Sequence, residues 1–85
     1  MTIFKYELPG MGSVTYDIPL VKILEVKEQN GVSVVWGIVD LDKKSENYTF
    51  TAVWTGWAFE EKYGDYIGTT EIAGLVCHYF MKKDW

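Results

Sequence analysis

Few side chains in this sequence have the chemistry for catalysis, and their spacing keeps them apart. His78 is the single histidine and Cys77 the single cysteine. Both fall in a run, residues 75–81, that reads as a β-strand. Neighbours on a strand point to opposite faces, so a thiolate–imidazole pair is not expected from them. A general base needs a partner that orients it. Glu71 shares the face of His78 only further along the partner strand. His78 therefore reads first as a hydrogen-bonded structural residue, and Cys77 as a small core residue. The sequence has no Cys/His cluster at zinc spacing, no acidic loop of calcium type and no Gly-rich loop leading into Lys-Ser/Thr. Asp40, Asp42, Lys43 and Lys44 read as a solvated loop. No enzyme, metal or cofactor is expected.

Binding chemistry is better represented. In Trp54-Thr55-Gly56-Trp57 two indoles flank a Thr-Gly break at the end of a strand. Gly56 allows a sharp turn or a close backbone approach. One reading makes Trp54 core and Trp57 a lid over the end of the domain. The other makes the segment a stacking platform for a flat ring, with the Thr55 hydroxyl or backbone N–H groups meeting polar atoms. Aromatic faces stack bases in a sequence-tolerant way, and binding pockets combine apolar walls with a few placed polar groups. Thr69, Thr70 and His78 are expected to add polar groups if that end of the sheet faces the same cavity.

The elements that must position these residues are strands. Residues 21–39 contain two apolar-rich runs around Asn30-Gly31, the strongest short-range hairpin signal. A two-residue type I′ turn sets Gln29 opposite Val32, Lys27 opposite Val34, Glu25 opposite Trp36 and Ile23 opposite Ile38. Leu24, Val26, Val35 and Val39 then form a core face. The other face mixes Glu25 and Lys27 with Val34, Trp36 and Ile38. A strand that is apolar on both faces is usually covered on both. Either another segment or a second copy of the chain is expected over Val34, Trp36 and Ile38, which are the candidate oligomer interface.

Before this hairpin, residues 3–8 alternate with Phe4, Tyr6 and Leu8 on one side. Pro9-Gly10 breaks that strand. Residues 13–18 place Val14, Tyr16 and Ile18 inward, and Pro19 ends the run. After it, residues 40–47 are polar and read as an exposed loop. Residues 48–54 alternate Tyr48, Phe50, Ala52 and Trp54 with Thr49, Thr51 and Val53. Residues 55–65 lack alternation and leave room for one helical turn near 58–62. A last hairpin around Ala73-Gly74 sets Gly68 opposite Tyr79, Thr69 opposite His78 and Ile67 opposite Phe80. The sum is an all-β single domain over residues 1–85. It is an antiparallel meander of about seven strands, curled into a barrel or sandwich.

A chain of 85 residues buries one modest core and gains from association with other copies. Its formal net charge of −4 with only eight basic residues argues against a DNA or RNA partner. A small anion remains compatible, because a local pocket can differ from the global charge. The single cysteine fits a reducing compartment. No charged leader with an apolar run and no stretch of about 18 apolar residues is present, so the cytoplasm is expected and membrane insertion is not.

The chain resembles a family of small phage-encoded proteins known mainly as a domain of unknown function. The likeness rests on Lys5-Tyr6-Glu7-Leu8, on Ile23-Leu24 running to Asn30-Gly31-Val32, and on Trp36 through Val39-Asp40. It continues at Thr55-Gly56, at Tyr66-Ile67-Gly68-Thr69, and at Leu75-Val76 with His78 and Phe80. The chain departs from the family at residues 11–17 and at Trp57, where members often carry histidine. The resemblance implies a phage origin and a compact β fold; it implies no activity and no catalytic residues. Small phage proteins outside the virion often counter host defence, in the host cell cytoplasm. The leading expectation is thus a homo-oligomer that sequesters a nucleotide-type signalling molecule. The alternatives are a direct inhibitor of a host protein, acting through an acidic, aromatic-rich surface, and a minor virion or assembly component.

Overall fold

A computed structural model describes residues 1–84, which form seven strands: β1 (Thr2–Glu7), β2 (Gly12–Ile18), β3 (Leu20–Gln29), β4 (Val32–Val39), β5 (Glu46–Trp54), β6 (Asp65–Ile72) and β7 (Leu75–Lys83). One 3₁₀ turn, Glu61–Tyr63, overlaps the helical turn expected near 58–62. All pairings are antiparallel, in two sheets ordered β1-β4-β3 and β2-β5-β7-β6. The sheets face each other across a core built on Val35, Phe50, Cys77 and Tyr79, with Leu8, Ile18 and Leu20 around them.

The strand order departs from a pure meander. Only β3–β4 and β6–β7 pair as sequence neighbours. The reason lies at Pro19, which separates β2 from β3 by one residue. Proline cannot donate to a ladder, so the chain bends there and passes from one sheet to the other. Ile18 and Leu20 stay buried on both sides of the bend, and the inner face of β2 runs into the inner face of β3.

The central hairpin turns at Asn30 (φ 55°) and Gly31 (φ 81°), as a type I′ turn requires. Its register follows expectation from Gln29–Val32 to Glu25–Trp36. Beyond that point it slips: Ile23 lies opposite Gly37 and Lys22 opposite Ile38, so the expected Ile23–Ile38 pair does not form. The cause is Gly37. Its missing side chain leaves space that Leu20 and Ile23 fill from inside; a Cβ there would lie 2.9 Å from Leu20 Cδ1. The bulge that turns Ile23 inward sends Leu24 out, 44% exposed, against its expected place in the core. A second bulge, at Ile67, pairs Phe80 with Tyr66 instead of Ile67. Ile67 packs on the core, while Gly68–Tyr79 and Thr69–His78 pair as expected.

Val34, Trp36 and Ile38 lie on the outer face of the β1-β4-β3 sheet, in register with Glu7, Lys5 and Ile3 on one side. Val34 is buried, and Trp36 and Ile38 are half-buried. Part of the cover comes from within that face. Lys5 on β1 donates to Gln29 Oε1 on β3 at 2.8 Å, so its side chain crosses the intervening β4. Long lysine stems commonly shield apolar surface in this way.

The opposite outer face carries the extra layer. Residues 55–64 fold over the β2-β5-β7-β6 sheet and set Phe59 on Phe80, ring centroids 4.6 Å apart, with Tyr63 and Tyr66 alongside. Thr51 and Val53, outward-facing on β5, are buried. Gly64 (φ 94°) makes the return possible, since a Cβ there would run into the Met81 carbonyl oxygen.

Candidate ligand-binding site

The segment 54–57 is a β-turn. Trp57 N donates to Trp54 O at 3.0 Å, and Gly56 has φ 92° at the third position, where such a turn needs a positive φ. The turn brings the two indoles to one cavity of about 590 Å³ at the end of the sandwich. Its other walls are the β1–β2 connection (Gly10, Met11), the β6–β7 turn (Gly74), Leu75 and Val76, and Thr55. None of these side chains is charged. Met11, Trp57 and Leu75 are 71%, 51% and 62% exposed and form an apolar rim.

The walls are held by hydrogen bonds to the connection between β1 and β2. Trp54 Nε1 donates to Gly10 O at 2.8 Å, and Tyr79 OH donates to Pro9 O at 2.9 Å. Trp54 is thus both a wall and a clamp, half-buried and packed against the core. Across the mouth, Thr55 N donates to Val76 O at 3.0 Å and ties the Trp turn to β7. The β6–β7 turn carries Ala73 at φ 53° and Gly74 at φ 80°. Alanine in the left-handed region is strained, so the chain holds an unfavourable backbone at the cavity edge.

Of the sequence-predicted residues, Trp54, Thr55 and Trp57 line the cavity and Gly56 shapes its turn. Thr69 and His78 do not line it, contrary to expectation. They lie on the outer face of the sheet because their shared register points them away from Cys77 and Tyr79. Both still reach the site through Thr55. Tyr66 OH meets Thr69 Oγ1 at 2.6 Å, Thr69 Oγ1 meets His78 Nδ1 at 3.0 Å, and His78 Nε2 meets Thr55 Oγ1 at 3.0 Å. Thr55 Oγ1 also donates to Val76 O at 3.3 Å. All these contacts are satisfied together when His78 carries its proton on Nε2 and donates to Thr55. His78 positions Thr55; no carboxylate belongs to the chain of hydroxyls.

Thr70 is removed further still. It is buried between the sheets, 2.7 Å from Ser33 Oγ. Cys77 is fully buried on the inner face, and burial raises its thiol pKa. A thiol so placed is a poor nucleophile. Among the described residues, no group of three or more His, Cys, Asp and Glu gathers in a way that could hold a metal ion. Gly10, Met11, Gly74, Leu75 and Val76 were missed from sequence. They come from the β1–β2 connection, the β6–β7 turn and the start of β7, which only tertiary packing brings beside Trp54. The exposed apolar Met11, between two glycines, was the one available signal.

No curated protein and no solved structure matches this chain. A family model, described as a domain of unknown function (DUF7352), matches residues 1–84. The chain therefore belongs to the DUF7352 family.

Proposed function

We propose that this is a non-catalytic binding protein that takes a flat, uncharged ring into the cavity lined by Trp54 and Trp57. The observation that carries this reading is the pair of indoles set at the two ends of one turn around an uncharged, open cavity of about 590 Å³. That volume lies within the range of roughly 300–1,000 Å³ that encloses small ligands. The ring is the base of a nucleotide-type signalling molecule, and the setting is a phage-encoded protein that sequesters it in the host cytoplasm against host defence. Support for that setting is the resemblance carried by the segments from Lys5-Tyr6-Glu7-Leu8 to Tyr66-Ile67-Gly68-Thr69. Copies of the chain associate through Trp36 and Ile38, next to which Ile3 is 61% exposed.

The test is a tryptophan-fluorescence titration with adenosine and cytidine, alongside native mass spectrometry of protein purified from bacterial cells. Both nucleosides are expected to bind, because stacking tolerates any base. Trp57→Ala is expected to weaken binding by about tenfold, in line with the roughly 1–3 kcal/mol of a base–aromatic stack. Binding unchanged in that variant would overturn the site assignment.

A second reading is favoured by the rim. Met11, Trp57 and Leu75 are all more than half exposed around one cavity, as at the centre of a protein interface. A host protein that is captured by the wild type and released by Leu75→Asp, with no nucleoside binding, would select this reading.

A further inference from the structure

A second concavity, of about 230 Å³, lies on the outer face of the β2-β5-β7-β6 sheet. Its lining differs in kind from that of the apolar cavity: Ser13, Thr49, Thr51, Lys62, Tyr63 and Lys82. Register brings these residues together. Ser13 pairs with Thr51 across β2–β5, and Thr49 pairs with Lys82 across β5–β7. The 3₁₀ turn then lays Lys62 and Tyr63 over this face. The chain has twelve acidic and eight basic residues; this lining holds two ammonium groups, and the carboxylates of Glu60 and Asp84 sit at its edge on Lys62 and Thr49.

We propose that this pocket binds a phosphate group. Ser13 Oγ and Thr51 Oγ1 lie 2.8 Å apart. One hydroxyl donates to the other, and the second proton is left for an acceptor in the cavity. Lys62 and Lys82 supply charge-assisted donors, which are stronger than neutral ones. A carboxylate of the chain already samples this chemistry. Glu60 sits 3.3 Å from Lys62 Nζ, and a hydrogen bond to Glu60 raises the Tyr63 phenol pKa. Glu60 thus occupies the Lys62 ammonium and competes with an incoming oxyanion. Asp84 Oδ2 accepts a hydrogen bond from Thr49 Oγ1 at 2.7 Å, which marks the far edge of the site. The pocket is smaller than the roughly 300 Å³ of a site that encloses a whole ligand, so it suits one phosphate. Two lysines do not make the stripe that a nucleic-acid polymer needs. The pocket stands on its own lining residues and does not depend on how the apolar cavity is filled.

The experiment is an amide-resolved NMR titration with inorganic phosphate, then with adenosine monophosphate. Saturable shifts are expected at Ser13, Thr49, Thr51 and Lys82. Lys82→Gln is expected to weaken binding by about threefold or more, as for the loss of an exposed ion pair. Lys62→Gln should act in the same direction. Glu60→Gln should tighten binding by a similar factor, a change that a merely structural Glu60 would not produce. If adenosine monophosphate binds more tightly than phosphate, the phosphate belongs to a nucleotide. Equal affinity of the two assigns the pocket to free phosphate groups. Shifts that do not saturate, or that saturate alike in both lysine variants, would mean an adventitious ion only and overturn the site.

Discussion

Tyr79 sets an alkaline limit on the fold. Its ring is 1% exposed and its hydroxyl donates to Pro9 O, and burial pushes its pKa from 10.0 up to about 12. Burial also raises the phenols of Tyr6, Tyr16 and Tyr48. A group whose folded pKa lies above its unfolded value contributes stability in full below the unfolded pKa and loses it as pH rises through the folded one. Stability is therefore expected to hold up to about pH 10 and to fall between about pH 10 and 12, with Tyr79 responsible for on the order of 2 kcal/mol. Denaturant unfolding across that range would measure it. In Tyr79→Phe the fall should be shallower, with lower stability near neutral pH because the Pro9 carbonyl loses its donor. An identical slope in the variant would show that Tyr79 is not the group that titrates.

At the scale of elements, the two sheets meet most closely where β6 passes β3. Gly68, on the inner face opposite Tyr79, has Val26 of β3 directly over it. A Cβ at Gly68 would lie 2.6 Å from Val26 Cβ, a branched and stiff neighbour. Gly68→Ala is expected to cost about 1–3 kcal/mol through overpacking, seen as a lower denaturant midpoint. An unchanged midpoint would mean that the strands separate there freely. The same logic explains the bulges near Leu24 and Ile67. Each lets the inner row of side chains follow a glycine partner instead of strict alternation. The 55–64 segment has no strand pattern because Phe59 packs sideways onto Phe80, with Tyr63 against Phe59.

At the scale of the whole molecule, function turns on which faces stay open. One outer face is partly covered by the 55–64 layer, which leaves the lysine-bearing concavity open beside it. The other keeps the Trp36 and Ile38 stripe, flanked by Ile3 on β1. Native mass spectrometry of Trp36→Asp is expected to show a smaller assembly than the wild type, while the fold is retained because Trp36 lies outside the core cluster. Equal masses would remove the stripe from the proposed association. Among the described residues, no helix is long and apolar enough to cross a membrane. The overall acidity, a net −4, coexists with a lysine-bearing pocket. Charge thus has to be read pocket by pocket.

The sequence by itself determined the local structure: the strands, the Asn30-Gly31 turn, the pairing of Thr69 with His78, and the Trp-Thr-Gly-Trp turn. These follow from period-2 alternation and from turn chemistry, which act over a few residues. It also placed Trp54, Thr55, Gly56 and Trp57 together, since four consecutive residues cannot separate. Tertiary structure decided the rest. Thr69 and His78 reach Thr55 by hydrogen bonds from outside the cavity, because a strand's face is fixed by its sheet and a sheet's inner side by what packs on it. Gly10 and Met11 became walls because Trp54 and Tyr79 clamp the β1–β2 connection across more than forty residues of chain, and Leu75 and Val76 because β7 pairs with β5 at Trp54. The lysine pocket formed only when the 3₁₀ turn closed over β2, β5 and β7. Contacts between segments so distant depend on register and layer order, and alternation along a single strand carries information about neither.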